Sequence, residues 1–293
     1  MAGVMIAAPG SGSGKTMVTC GLLTLLKRKG YNPAAFKCGP DYIDGLFHRR
    51  VLGVENGNLD SFFETGTHMR QKLSRSMKDH FVVAEGVMGY FDGLGGVSLR
   101  GSSFEIGNIL GLPAILVVDG RGASLSLMAL IQGFLEYDVT ADAKNEKKSR
   151  EKKSREKKTC EKKARNIRGI FFNRMSSMIY NRLKPMVEER FQIPVIGYLP
   201  ELKFLQVGSR HLGLVLPDEI DGIRGQLEQL ADQMDDNLEW ESLLRIAADA
   251  DGCDREAPVR PEAGMASHFR LGIARDEAFC FYYEDNLRAM EQA

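Results

Sequence analysis

The sequence predicts an α/β fold, a parallel sheet with helices on both faces, and three observations carry that prediction. Short, wholly apolar runs recur along the chain, amphipathic stretches at helical spacing separate them, and polar residues or glycines close each run. Runs apolar on every side suit strands covered from both faces, and their alternation with helices argues for parallel pairing. The polar closures gather at strand ends, which is the rim where open α/β sheets bind ligands.

The first run, Val4 to Ala8, is short enough for a buried strand. Gly10, Gly12 and Gly14 follow, then Lys15 and Thr16 at once, and Val18, Leu22, Leu25 and Leu26 share one helical face. Strand, glycine loop, Gly-Lys-Thr and helix in that order predict a P-loop. Glycines let backbone N–H groups turn inward around a phosphate, and the helix N-terminus adds unpaired donors and the positive end of its dipole. The nucleotide-contacting set is then Gly10, Ser11, Gly12, Ser13, Gly14, Lys15, Thr16 and Met17. Lys15, expected to project into a solvent-filled loop, supplies a point charge at the β- and γ-phosphates, and the Thr16 hydroxyl is a ligand for Mg²⁺. The motif departs from strict spacing at Pro9, which stands five residues before Gly14 where a glycine belongs. The competing interpretation is a Gly/Ser-rich turn before an ordinary helix. With the P-loop included, the fold class is a P-loop NTPase-like parallel sheet with helices on both faces.

Ala34 to Phe36 reads as the second strand, ending at Lys37, and 37–48 as a loop of turn formers and charge. Phe81 to Ala84 is the third, closed by Glu85-Gly86; Ala114 to Val118 the fourth, closed by Asp119-Gly120; Gly169 to Phe172 the fifth, closed by Asn173-Arg174; Pro194 to Tyr198 the sixth. Helices are expected near 124–136, 176–190, 220–234 and 237–249. Residues 142–168 interrupt the pattern with a five-residue unit headed by Glu146, Glu151, Glu156 and Glu161. Nearly devoid of apolar side chains, it cannot bury a core. A solvated surface insertion explains it better than a basic arm for an anionic partner, because loops tolerate insertion at small entropic cost. Residues 250–267 read as a Pro-bearing linker, Phe269 to Ala274 as a strand and Tyr283 to Ala293 as an opening helix. The expected organisation is a nucleotide-binding domain (1–249), the linker, and at 268–293 the start of a second, truncated α/β domain.

At 293 residues with 43% apolar content, the chain is long enough for one large core or two ordinary ones. A formal net charge of zero gives no global case for nucleic acid or an anionic membrane, and no apolar run approaches a membrane span. Cys20, Cys38, Cys160, Cys253 and Cys280 are odd in number, without a Cys-x-x-Cys pair, and read as free thiols of a reducing cytosol. A cytoplasmic location follows as an expectation.

Asp41 and Asp44 lie on a Gly-Pro turn after strand two, and Glu85 follows strand three. In a parallel sheet these ends share a rim with the P-loop, so Thr16, Asp41 and Glu85 are the candidate Mg²⁺ ligands. The alternatives are turn capping for the two aspartates and helix capping for Glu85. Lys37 is placed to neutralise a carboxylate substrate or a phosphate, or is a surface lysine; Asn173 offers an amide to a purine edge, or caps its strand. Arg210-His211 is a basic loop pair open to either a structural or a catalytic role.

These motifs together resemble a family. Ala-Ala-Pro-Gly-Ser-Gly-Ser-Gly-Lys-Thr (7–16), Phe-Lys-Cys-Gly-Pro-Asp-Tyr-Ile-Asp (36–44), Asn-Leu-Asp (58–60), Glu-Gly-Val-Met-Gly-Tyr-Phe-Asp-Gly (85–93), Val-Val-Asp (117–119) and Arg-His-Leu-Gly-Leu (210–214) are similar to the motifs of the cobyrinic acid a,c-diamide synthases and relatives that amidate other tetrapyrroles. The resemblance implies a dethiobiotin synthetase-like fold and ATP- and Mg²⁺-dependent conversion of the a and c acetates of a corrinoid to carboxamides. It places Thr16, Asp41 and Glu85 near Mg²⁺ and Asp44 and Tyr42 near the substrate side chain; Lys15, Lys37, Asp44 and Tyr42 form the catalytic set. Nickel-sirohydrochlorin, hydrogenobyrinate and sirohaem remain alternative substrates, and a P-loop ATPase switch of partition or metal-chaperone type is the rival from another class. By the same resemblance 268–293 begins a glutamine amidotransferase-like domain, so that ammonia comes from a glutaminase domain or subunit not present here. None of the cysteines has the glycine flanks of a glutaminase nucleophile. A homodimer is the expected assembly, with neither nucleic acid nor membrane as partner.

Overall fold

The computed structural model describes residues 2–138, 166–203, 220–250, 270–276, 279 and 282–292. Strands β1 (Ala2–Ala7), β2 (Pro33–Cys38), β3 (Glu55–Leu59), β4 (Phe81–Glu85), β5 (Ala114–Asp119), β6 (Ile167–Asn173) and β7 (Val195–Leu199) form one sheet in the order β3-β2-β4-β1-β5-β6-β7. Every pairing is parallel. The helices are α1 (Lys15–Arg28), α2 (Ile43–Phe47), which runs into a π-helical turn at His48–Leu52, α3 (Gly66–Ser76), α4 (Ser103–Leu110), α5 (Ser126–Glu136), α6 (Ser177–Phe191), α7 (Ile220–Asn237), α8 (Trp240–Ala248) and α9 (Glu284–Gln292).

Because the side chains of each strand alternate between two apolar faces, the sheet carries a core on each side. Met5, Ala7, Val82, Ala84, Leu116 and Phe172 face α3 to α6, whose Met69, Leu73, Ile106, Ile131, Leu183 and Val187 close that layer. Val4, Ile6, Val83, Ile115 and Phe171 face α1, α7 and α8 through Leu22, Leu25, Leu230, Leu243 and Ile246. Burying each of the larger of these side chains contributes about 1.5–3 kcal/mol, which fixes the strands whose ends build the rim. β1 lies between β4 and β5, where the order of connections reverses, and the loop after it opens at that switch point.

The six strands expected before the linker are all present, and β3 is an addition. It is a sheet edge of sequence Glu-Asn-Gly-Asn-Leu, pairing only with β2, so it shows none of the apolar run that marks a buried strand. α3 and α4 are likewise additions, short helices with few core residues. Of the charged insertion, 142–165 lies outside the described residues, whereas Ile167 and Arg168 belong to β6. Arg210 and His211 also lie outside them, as does most of the linker and Cys280. The strand expected at 269–274 does not form over its described part: residues 270–276 pair with no strand, and Leu271 and Ile273 stay exposed. The helix expected after it is α9, and the segment that carries it packs against α2, the turn after α2, and α3. Tyr283 stacks on Tyr42 with ring centroids 4.4 Å apart, Glu284 pairs with Arg49 at 2.5 Å and Asp285 with Lys72 at 2.6 Å. Among the described residues no helix is long and apolar enough to cross a membrane.

Candidate active site

The loop between β1 and α1 turns through Gly12 (φ +77°) and Gly14 (φ +97°), and α1 begins without a side-chain cap. Two residues from β6 and the turn after it hold the loop from the far side. Asn173, fully buried, donates Nδ2–H to the Ser13 carbonyl at 2.9 Å. Arg174 (φ +54°) donates from Nη2 to the Gly12 carbonyl at 2.6 Å while its guanidinium grips both oxygens of Asp119 at the end of β5. Burial raises the Asp119 carboxyl, but the hydrogen bonds from Arg174 and Arg121 outweigh it and hold the pKa below its ordinary value. The sequence offers Asn173 as an amide for a purine edge or as a strand cap; its Nδ2 is turned under the loop, and Oδ1 is buried without a partner among the described residues.

Gly14 is the position where a side chain has no room. A Cβ there would sit 2.1 Å from Asn173 Nδ2, on a backbone angle that L-residues rarely adopt. Gly14→Ala is expected to weaken nucleotide binding by at least about tenfold, since each 1.4 kcal/mol of strain is a factor of ten. Gly10→Ala, where a Cβ meets nothing within 4 Å, should stay near wild type; equal loss in both, measured by nucleotide titration, would remove Asn173 from the explanation.

Lys15 is buried, contrary to its expected position in an open loop. Its ammonium donates to the Gly10 carbonyl at 3.2 Å and to the carbonyl of Met88. The Met88 carbonyl is aimed there by the segment after β4: Met88 takes φ +44°, Gly86 N–H and Tyr90 N–H continue onto the Ile6 and Ala8 carbonyls, and Asp92 Oδ2 accepts from Gly89 N–H at 2.9 Å. Burial pushes the Lys15 pKa down to about 8, against the attraction of Glu85.

Glu85 ends β4 and is fully buried at the centre of a charged network. Its Oε1 accepts from Thr16 Oγ1 at 2.6 Å and from Lys37 Nζ at 2.8 Å. Lys37, at the end of β2, also pairs with Asp44 at 2.5 Å. Burial works against the Lys37 charge, yet Glu85 and Asp44 outweigh it and raise its pKa. Burial and the Glu85 charge together raise Asp44, because one ammonium cannot fully neutralise two carboxylates. Lys37 therefore does not stand free for a ligand as the sequence suggested; it binds two acids together. Asp41 Oδ1 accepts from the N–H groups of Ile43 (2.9 Å) and Asp44 (3.3 Å), so Asp41 caps α2, while its Oδ2 lies 3.9 Å from Lys37. Asn58, on the unforeseen β3, ties the loop down by donating to the Gly39 and Asp41 carbonyls.

The donor set suits a hard cation at one point. Thr16 and Glu85 bring two oxygens together, and Glu85 Oε2 is buried with no partner among the described residues. Those residues contain no group of three or more His, Cys, Asp or Glu arranged for a metal.

Sequence reasoning thus found Gly10 to Met17, Lys37, Asp41, Asp44 and Glu85 at one rim and missed Arg174, Asp119 and Asn58. The first two ended predicted strands; only the adjacency of β5 and β6 makes them a pair beside the P-loop.

Residues 4–214 match the CbiA family, the CobQ/CobB/MinD/ParA nucleotide binding domain. The chain belongs to that family. Within it, the chain is 33% identical over its whole length to a cobyrinate a,c-diamide synthase of Clostridium acetobutylicum, spanning 60% of that relative. It is 34% identical to the enzyme of the same name from Listeria innocua, over 97% of this chain and 58% of the relative. A hydrogenobyrinate a,c-diamide synthase of Brucella ovis is 36% identical over 97% of this chain and 59% of its own. The chain therefore spans about 60% of the length of the curated relatives it matches. Among solved structures, the MinD cell division protein of Aquifex aeolicus aligns over 89% of this chain and 100% of its own, with 13% identity and a TM-score of 0.43.

Proposed function

We propose that this chain is the ATP-dependent amidating part of a tetrapyrrole a,c-diamide synthase, acting on cobyrinate or the related hydrogenobyrinate in cobalamin biosynthesis. The observation that carries the reading is the continuous network Thr16–Glu85–Lys37–Asp44, which joins the P-loop to the 39–44 loop. Such a link brings a nucleotide phosphate and a second substrate to one rim. The names of the relatives supply the substrate class.

In this reading a substrate acetate oxygen attacks the γ-phosphorus of ATP in line, the bond to the β-phosphate oxygen breaks, and ADP leaves an acyl phosphate. Ammonia then attacks the acyl carbon, the carbon–oxygen bond to phosphate breaks, and the proton shed by nitrogen leaves with the phosphate. Lys15 and the loop N–H groups offset charge on the phosphates, which accounts for most of the first step. Thr16 and Glu85 would hold Mg²⁺, with phosphate oxygens and water completing it, and Asp41 would lie further out; the ion would supply charge neutralisation at the β- and γ-phosphates. Asp44 and Tyr42 face the substrate side chain, and Lys37 sets the position and charge of Asp44 and Glu85. We assign residues 268–293 to an amidotransferase-like domain, and ammonium as nitrogen donor tests the amidation step independently of glutamine.

The test is ADP formation with ammonium, Mg²⁺ and a panel of tetrapyrrole carboxylates. Substrate-dependent ADP release is expected, with amide product that rises with pH as NH₃ replaces NH₄⁺. ADP release that ignores every tetrapyrrole would overturn the reading in favour of a nucleotide switch.

A further inference from the structure

A cleft of about 300 Å³ runs along α2 beside the Asp44 network. Its walls include Tyr42, Arg49 and Arg50 from α2 and the turn after it, Asn56 from the edge strand β3, and Arg275 and Glu284 from the C-terminal segment. Three guanidinium groups thus border one small space, against the two acids Asp276 and Glu284. Asn56 Oδ1 accepts from Arg49 Nε at 3.1 Å and so orients the fork. Both Arg49 and Arg275 then converge on a single oxygen, Glu284 Oε1, at 2.5 and 3.3 Å. Arg50 is exposed and has no ion pair among the described residues. Each guanidinium gives one nitrogen to that oxygen, a charge-assisted contact of the kind by which arginines hold a carboxylate.

The active-site cations cannot serve the same purpose. Lys37 is committed to Glu85 and Asp44, and in the amidation reading Lys15 is taken by the nucleotide phosphates. A substrate with several carboxylates therefore meets its available positive charge at the arginine cleft, which shares Tyr42 with the rim.

We propose that this cleft is a carboxylate subsite. Arg49 and Arg275 take a peripheral carboxylate of the multi-carboxylate substrate in the place that Glu284 fills in this structure, with Arg50 adding charge at the mouth. The identity of the substrate rests on the amidation reading; the subsite itself rests on the geometry.

Titration of the full chain with cobyrinic acid, without ATP and at low salt, reads the subsite directly. Arg49→Gln is expected to weaken binding by about tenfold, as befits loss of a charge-assisted contact. Glu284→Gln, which removes the competing carboxylate, should tighten it severalfold. A structural tether predicts no such opposition, and unchanged affinity in both variants would overturn the subsite, as would a failure of cobyrinic acid to bind at all. Arg50→Gln breaks no ion pair among the described residues and should weaken binding severalfold with an unchanged Tm, which keeps the test open if Arg49→Gln folds poorly. Cobinamide, a corrinoid with an amidated periphery, should bind more weakly and ignore Arg49→Gln; an equal response would also overturn the proposal. Amidation assayed in parallel separates the two readings. Wild-type amidation with no affinity shift in the variants sinks the subsite alone, whereas opposed shifts without amidation sink the reaction and leave the subsite.

Discussion

Lys15→Met should lower ATP turnover by more than about a hundredfold, roughly 3 kcal/mol of activation. The magnitude follows from the surroundings of the ammonium. It is buried, so its field acts through protein as well as water, and its present partners are neutral carbonyls that a phosphate can replace. Burial also dictates the choice of variant. Truncation to alanine would open a cavity and leave the Gly10 and Met88 carbonyls without their donor, confusing folding with catalysis; methionine keeps most of the volume. The lowered pKa of about 8 gives a second readout. Above that pH the free lysine is largely neutral, and a bound polyphosphate draws the proton back. Nucleotide affinity should therefore fall as pH rises through about 8, and calorimetry near pH 8.5 in buffers of different ionisation heat should show proton uptake on binding. Both effects should vanish in Lys15→Met. Turnover within threefold of wild type, or proton uptake that persists in the variant, would remove Lys15 from the phosphate site.

The P-loop and the strand ends were legible because each is a local signal: an apolar run, glycines at fixed offsets, a polar closure. Glu85, Asp44 and Lys37 could be placed on one rim for the same reason. Their mutual bonding could not. Lys37 looked like a cation for a ligand because sequence shows which residue ends a strand and not that β2 and β4 are neighbours, with Lys37 in register with Glu85. Likewise Lys15 looked exposed until Met88, seventy-three residues away, closed over it. β3 escaped because an edge strand that pairs on one side need not be apolar. Residues 269–274 read as a strand by composition, yet a strand is made by a partner, and the described residues offer it none.

Removing charge from the Thr16–Glu85–Lys37–Asp44 network in two different ways should separate metal binding from stability. Glu85→Gln keeps the shape and leaves Lys37 paired with Asp44, so no buried charge is abandoned. Its expected effect is on the cation: the Mg²⁺ concentration for half-activity should rise about tenfold or more, since hard-cation binding depends on carboxylate charge. Asp41→Asn removes charge from a residue whose Oδ1 caps α2, so a smaller Mg²⁺ shift is expected there. Lys37→Met does the opposite of Glu85→Gln. It leaves Glu85 and Asp44 buried without their shared cation, at a cost on the order of 3–5 kcal/mol at neutral pH. The pH dependence has a definite sign. Asp44 is already raised above its unfolded value of 3.8, and loss of Lys37 raises it further. In that window the native state holds more protons than the unfolded one, so stability must fall as pH rises from about 4 toward neutrality. Denaturant unfolding of Lys37→Met at pH 5 and pH 7.5 should thus find the variant closer to wild type at the lower pH. A uniform loss at both pH values would mean that the acids are solvated rather than buried, and an unchanged Mg²⁺ titration in Glu85→Gln would take the cation away from β4.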